Sequence, residues 1–370
     1  MQGWATCFSV RDRVKKYGEL FICLLFLIAL LLFSRAPAEN VRRALALCYR
    51  TVIPSVFPFM VISSFMIRTG AHTRLASIFG KPIRFLFGCS EAASVSVILG
   101  FLSGFPIGAS SAVALYDSGE ISKEELERLL IFVSNPGAAF VIGGVGAGIF
   151  NSSEVGRLLY ASVLISSVSA GVISRFFYKC AHSRPLSSSK APSESRPSVA
   201  SAFTGAVSDS ALNTLTVCAC VVFFSVPVGI ISELLSPLGF PASIRALLSS
   251  FFEISGGCGA SGELSSPVGA LMICAFACSW SGLSVHLQVS SVCRGRGVSF
   301  TPYVISKLLQ GVASPLLALA LSRLSSELTF ADGSTSVSAS PTAQKIFFAF
   351  FLISLAIMLV KRVKDSRRVI

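Results

Sequence analysis

Charge is what this sequence has least of. Asp, Glu, Lys and Arg together make up 13% of its 370 residues, where a soluble domain carries about 25%. Acidic residues are the scarcer sign, 18 against 31 basic ones. The histidines are three, His72, His182 and His286, and they do not cluster. The eleven cysteines form no C-x-x-C pair: Cys218 and Cys220 are two apart, Cys274 and Cys278 four apart. None has a second Cys or His in metal-ligand spacing. No Ser-His-Asp arrangement and no P-loop is present either. These absences leave no sequence basis for a metal, a cofactor or an enzyme. The cysteines read as small apolar side chains packed in a bilayer.

What is abundant is apolar sequence: 53% hydrophobic residues and a mean hydropathy of +0.74. That composition defines a polytopic membrane protein, with room for roughly eight to ten spans or half-spans of ~20 residues. The net charge of +13 fits basic residues flanking membrane segments better than a nucleic-acid surface.

The organising stretch is residues 100–120, GFLSGFPIGASSAVALYDSGE. An apolar run from Val95 stops at Ser103-Gly104, Pro106 and Gly108 follow, and a second run continues to Tyr116. Gly and Pro inside an apolar segment predict a broken helix. In lipid such backbone is tolerated only where it is buried in protein or lines a cavity. The freed N–H groups of Phe105, Ile107 and Gly108 would open a half-helix whose positive end suits an anionic or polar group. A second such break is predicted at residues 278–288, CSWSGLSVHLQ, where Ser281-Gly282 answers to Ser103-Gly104. Phe57-Pro58 and Val61-Ile62-Ser63 answer in the same way to Val226-Pro227 and Ile230-Ile231-Ser232. The two offsets differ by an insertion that residues 255–266 could supply.

Taken in order, residues 1–38 hold a basic segment with Arg11, Arg13, Lys15 and Lys16, then an apolar run at 20–33. Ala36-Pro37-Ala38 has the form of a signal-peptidase site, but an uncleaved first helix is preferred. Residues 39–179 form a first membrane unit. It comprises an amphipathic helix at 39–49, a re-entrant hairpin or kinked span at 51–66 around Pro54 and Pro58, and a basic loop at 68–84. Glu91 stands at the start of the helix that runs into the break, either as a favourable cap or as a site residue. Residues 121–134 are expected to be a surface-lying or connecting helix opened by a Ser122/Glu125 capping box. It is stopped by Asn135-Pro136-Gly137, and a Gly-rich apolar segment and a full span at 154–178 follow. Residues 180–198 are a Ser/Pro-rich linker. A second membrane unit covers 199–324, with helices at 199–215 and 216–235. A Gly-rich loop at 251–263 opens at Glu253, half-spans fill 267–281 and 283–292, and a span over 302–324 is kinked at Pro315. Residues 325–370 are a polar loop, a last span at 345–360 and a basic tail. Both termini are expected in the cytoplasm of a multi-pass cell-membrane protein.

GFLSGFPIGA, then a charged helix ending ERLLIFVSNPGAAFVIGGVGAGIF, then FFEISGG and SWSGLSVHLQ, resemble the sporulation integral membrane protein family (YlbJ type). That family lies in the nucleoside-recognition Gate domain superfamily, and the resemblance covers roughly residues 39–324. It implies an all-α polytopic membrane protein of two inverted repeats, with re-entrant hairpins and broken helices, resembling concentrative nucleoside transporters. It also implies a transporter or facilitator that moves a small solute during spore formation, dipicolinate first among such solutes. The alternatives are a nucleoside transporter or a non-transporting scaffold in a sporulation complex. The substrate-binding positions it carries over are Ser103, Gly104, Pro106, Gly108, Asn135, Pro136, Glu253, Ser281, Gly282, Ser284, His286 and Gln288. Ser and Asn at breaks also serve as helix caps, and His286 also suits a helix–helix hydrogen bond. The expected partners are the solute and the lipid bilayer, with no nucleic acid and with a homo-oligomer left open. The coupling ion is not readable.

Overall fold

The computed structural model describes residues 17–18, 20–33, 35–178 and 198–324. The basic N-terminal segment, nearly all of the linker at 180–198, the expected last span and the basic tail lie outside the described residues. Every regular element among the described residues is helical.

An apolar helix α1, Leu20–Leu32, meets the next helix at 97°. Helix α2 (Arg35–Leu47), a π-helical stretch at Cys48–Val52 and α3 (Ile53–Arg68) then run on without interruption. The π turn stands just before Pro54, where the ordinary helical hydrogen bond is lost. Residues 51–66 are thus part of a kinked helix, not a hairpin. The basic stretch expected as a loop is a helix, α4 (His72–Phe87). His72, Ala76, Gly80 and Phe87 are buried while Arg74, Lys81 and Arg84 stay exposed. That helical stripe outweighs the Gly and Pro that suggested a loop.

Helices α5 (Ser94–Ser103) and α6 (Ile107–Asp117) fold back on one another. The Ser96 hydroxyl donates to the Gly108 carbonyl at 2.8 Å. A Cβ on Gly108 would come 2.8 Å from the Gly100 Cα, so glycine sets the closeness of the two arms. Helix α7 (Lys123–Val133), expected as a surface-lying or connecting helix, does not lie on the surface but is buried on nearly every side. Its polar residues are matched inside. The Glu125 carboxylate accepts from the Ser90 amide at 2.5 Å, and Arg128 donates to the carbonyls of Phe87 and Gly88 and to the Ser174 hydroxyl. After a break at Ser134–Gly137, a π-helical stretch at Ala139–Ala147 follows, and then α8 (Ser153–Ser174).

The second unit repeats this order. Residues 199–235, expected as two helices, form one 37-residue helix, α9 (Val199–Leu235). The expected Gly-rich loop at 251–263 is a second hairpin, α10 (Ala242–Phe252) and α11 (Ile254–Ser261). Gly257 permits it, since a Cβ there would sit 2.5 Å from the Ser250 Cα. Helices α12 (Pro267–Trp280) and α13 (Gly282–Val292) form one interrupted span, and α14 (Thr301–Leu324) closes the unit. By length and composition, four helices among the described residues can cross a membrane, or five if the bent α1/α2 pair counts as one.

Apart from α4, which is inserted in the first unit between long helix and hairpin, each unit therefore runs long helix, hairpin, broken helix, long helix. In each unit the two hairpin arms pack against one another, so the chain turns back between the long helix and the broken helix. This order corrects the expected pairing of the breaks. Ser103-Gly104 is a hairpin tip and corresponds to Phe252-Glu253. Ser281-Gly282 is a helix break and corresponds to Asn135-Pro136-Gly137. Both kinds of site show Gly or Ser after an apolar run, and that local pattern does not say whether the chain turns back or continues.

Candidate functional site

In both units the hairpin tip rests on the break of the following helix. In the first, the Phe105 amide donates to the Asn135 carbonyl at 2.6 Å. Gly104 has φ +83°, and a Cβ there would lie 2.7 Å from the Gly137 Cα and 2.9 Å from the Asn135 carbonyl. In the second, Gly282 has φ +71°, and a Cβ there would lie 3.0 Å from the Phe252 carbonyl and 3.1 Å from the Glu253 Cα. The Trp280 indole donates to the Phe251 carbonyl at 3.2 Å. Glycine is required at both positions by conformation and by space.

The expectation that the amides of Phe105, Ile107 and Gly108 stand free for a ligand is not met. Phe105 is bound to Asn135, and Ile107 and Gly108 both donate to the Gly104 carbonyl. The half-helix that opens toward the centre is α11. Its N-terminus is capped by Glu253, whose carboxylate accepts from the Gly256 amide at 2.6 Å and the Ser255 hydroxyl at 2.7 Å.

The two units meet around a cavity of about 80 Å³. Ser103, Phe105 and Pro136 reach it from the first unit, and Glu253, Ser255 and Gln288 from the second. The α3 and α9 sides supply an apolar wall that includes Val56, Val217 and Val221. Two polar atoms at this cavity are buried without a partner in the structure, Ser103 Oγ and Gln288 Oε1. A buried polar atom left unpaired costs about 1–3 kcal/mol, which a hydrogen-bonding ligand or water would recover.

Larger spaces lie on either side. One of about 510 Å³ is bounded by Arg68, Asp117, Asp209 and Arg296. Another of about 380 Å³ is bounded by Arg43, Arg245, Glu253 and Glu263. Helix α9 passes all three in sequence. Asp209 and Asn213 face the first, Val217 and Val221 the centre, and Ser225, Val228 and Ser232 the last. At 1.5 Å per residue, that stretch spans about 35 Å, close to a bilayer's hydrocarbon thickness.

Of the carried-over residues, Ser103, Pro136, Glu253 and Gln288 line the cavity. Ser284 accepts from the Gln288 amide at 3.2 Å and so orients it. Gly104, Asn135 and Gly282 build the two tip-to-break contacts, while Ser281 ends α12, its hydroxyl donating to the Cys278 carbonyl at 3.2 Å. Pro106 caps α6 and Gly108 lies in its first turn against α5. His286 turns away from the cavity. Its Nε2 pairs with the Trp280 carbonyl at 2.9 Å, and its ring packs between Trp280 and Tyr303. Sequence reasoning missed Ser255, and it missed Lys307 and Gln310 on α14. Their signal was a lysine inside an otherwise apolar span with an amide three residues on.

A helical membrane protein of paired hairpins and broken helices around one central cavity is the class this geometry defines. Residues 49–177 match the Gate family, described as nucleoside recognition. The chain is also 26% identical over 343 residues to the Sporulation integral membrane protein YlbJ of Bacillus subtilis (strain 168), covering 83% of this chain and 84% of that protein. Solved structures of CNTnw resemble it as well. One in an outward-facing state is 15% identical with a TM-score of 0.46, covering 86% of this chain and 87% of that one. One in an inward-facing substrate-bound state is 15% identical with a TM-score of 0.45, covering 83% and 86%.

Proposed function

We propose that this chain is a transporter or facilitator for a small polar solute, which binds where the two units' breaks converge. The observation that carries this reading is the pair of unpartnered buried atoms, Ser103 Oγ and Gln288 Oε1, in one cavity with Glu253. A purely structural membrane core gains nothing from leaving such groups unpaired. The centre is smaller than the roughly 300–1,000 Å³ of ordinary ligand sites. The reading therefore treats this as an occluded arrangement, with the 380 and 510 Å³ spaces as its two approaches.

Dipicolinate is the first solute we name, supported by the sporulation role in the relative's name. A nucleoside is the second. It is favoured by acceptor atoms at the cavity, Glu253 and Gln288 Oε1, which suit a donor-rich solute, and by the description of the matching family. Glu253 separates the two. An anionic carboxylate solute beside it requires Glu253 to carry a proton, whereas a nucleoside hydroxyl or amine does not. Purified protein in liposomes should take up labelled dipicolinate more quickly as the pH falls if the first solute is right. Uptake of nucleosides with little pH dependence supports the second, and movement of neither overturns the transporter reading.

A further inference from the structure

Lys307 lies on α14 with no exposed surface. Its ammonium donates to Asn135 Oδ1 and to Gln310 Oε1, each at 3.2 Å. Both acceptors are neutral amides, and no Asp or Glu among the described residues forms an ion pair with it. A buried charge without a counter-charge is expensive and persists in membranes where it has a task.

Its position is specific. Asn135 stands at the break where α7 ends, and the last turn of α7 offers its carbonyls there. The Ile131 carbonyl accepts from the Gln310 amide at 2.8 Å and from the Ser306 hydroxyl at 3.2 Å. The Phe132 carbonyl accepts from the Asn135 amide at 2.8 Å and from the Ser167 hydroxyl at 2.7 Å. The ammonium thus sits at the C-terminal, negative end of a half-helix. Broken-helix transporters use unwound carbonyls and half-helix C-termini to hold a coupling cation. The Ser134 hydroxyl, fully buried at the same break, has no partner. The α7 carbonyls are thus taken up by Gln310, Ser306, Asn135 and Ser167, and the oxygens that hold the ammonium at this helix end are Asn135 Oδ1 and Gln310 Oε1.

We propose that Lys307 is a built-in cation that takes the place of a dissolved monovalent ion at the α7 break, so that the protein needs no such ion to hold its broken helix together. The consequence for coupling, transport that is independent of sodium, rests on the transporter reading above; the consequence for stability does not.

The full-length protein would be purified in detergent and its thermal unfolding followed in sodium, potassium or choline chloride at one ionic strength. The wild type is expected to unfold at the same temperature in all three. Lys307→Ala, which removes the ammonium and opens its space, is expected to be stabilised by a few degrees in one of the small cations over choline, because an ion that binds only the folded state raises its midpoint. Lys307→Gln, closer to the native volume, serves if the alanine variant does not fold in choline, and folding of Lys307→Ala in sodium or potassium alone also supports the proposal. Stabilisation of the wild type by sodium or potassium over choline would overturn it, as would folded variants that respond to neither. In liposomes that move solute, equal uptake in sodium and choline agrees with it and uptake confined to sodium overturns it. Absence of any uptake bears on the transporter reading alone, since the unfolding series reads the cation site directly.

Discussion

The Phe105 amide donates to the Asn135 carbonyl at 2.6 Å, joining the tip of the first hairpin to the break in the helix that follows it. The amide is not left for a ligand, and the bond holds the backbone of the hairpin tip against the break. The second unit repeats the arrangement with Gly282 packed on Phe252 and Glu253. A protein built this way fixes two broken helices by two hairpins and leaves a cavity where all four meet.

The two glycines at these joints test that view first. Gly104→Leu and Gly282→Leu should abolish solute movement. Each forces a side chain into positive φ at a cost of roughly 1–3 kcal/mol and into backbone that lies within 3.1 Å. Leucine favours membrane insertion, so a membrane-abundance blot should still show the protein. Normal solute movement by the double variant would remove the joints from the mechanism.

Ser103→Ala should behave differently. Its hydroxyl has no partner in the structure, so its removal should leave the unfolding temperature unchanged or slightly raised. If the hydroxyl meets solute, the variant loses one hydrogen bond of about 1 kcal/mol, which reads as a several-fold rise in half-saturating solute concentration. Gln288→Leu should add a larger loss, because it also removes the bond to Ser284. A transport assay beside a melting curve separates the two effects, and a Ser103→Ala protein that melts much lower with unchanged half-saturation would make the residue structural.

The membrane class, the interruptions and most helices were legible in the sequence because apolar runs and Gly/Pro breakers are local signals. The folding-back of α5 on α6 was not. Ser103-Gly104 and Ser281-Gly282 look alike in sequence, yet one ends in a hairpin tip and the other continues the span, and the difference lies in the Gly100–Gly108 contact across the arms. Helix α7 was misread for a related reason. Its Glu125 and Arg128 look like a solvated face until Ser90, Phe87 and Gly88 are brought to meet them from more than thirty residues away. Glu253 and Gln288 were found because polar groups beside a predicted break are conspicuous. His286 was equally conspicuous, but it serves the carbonyl freed by its own break.

A pH dependence is built in where the surface helix α4 meets the end of α6. His72 Nε2 lies 3.0 Å from Glu120 Oε1. Burial alone would lower the His72 pKa, but the hydrogen bond and charge of Glu120 outweigh it and hold the ring above its usual 6.5. Burial would raise Glu120, and the bond to His72 outweighs that and leaves the carboxyl below its usual 4.5. The histidine's contribution to stability is therefore full below pH 6.5 and lost as pH rises through its raised value. The carboxylate's is full above pH 4.5 and lost as pH falls through its lowered value. The unfolding temperature of the wild type should drop on going from about pH 6 to above the raised His72 value, and His72→Gln should flatten that drop. An equal drop in the variant would assign the pH effect to other groups.

The last prediction concerns the route along α9. Asn213 faces the 510 Å³ space, Val221 the centre and Ser232 the 380 Å³ space. If these spaces are approaches from opposite sides of the membrane, a membrane-impermeant thiol reagent should label Asn213→Cys from one side of sealed vesicles and Ser232→Cys from the other. The wild type, with its half-buried Cys218 and Cys220 on the same helix, sets the background. Val221→Cys, which borders both the central cavity and the 380 Å³ space, should react only from the Ser232→Cys side and more slowly than Ser232→Cys. Added solute should slow it further by filling that cavity, while the rates at Asn213→Cys and Ser232→Cys stay within about two-fold unless solute binding also shifts the balance between open states. The spacing of these positions matters to the logic. From residue 213 to residue 232 the helix rises about 28 Å, so a reagent that reached both from one side would have to pass the centre. Labelling of both from the same side, at similar rates and without solute, would mean that the two spaces are one continuous opening rather than two approaches to a closed site.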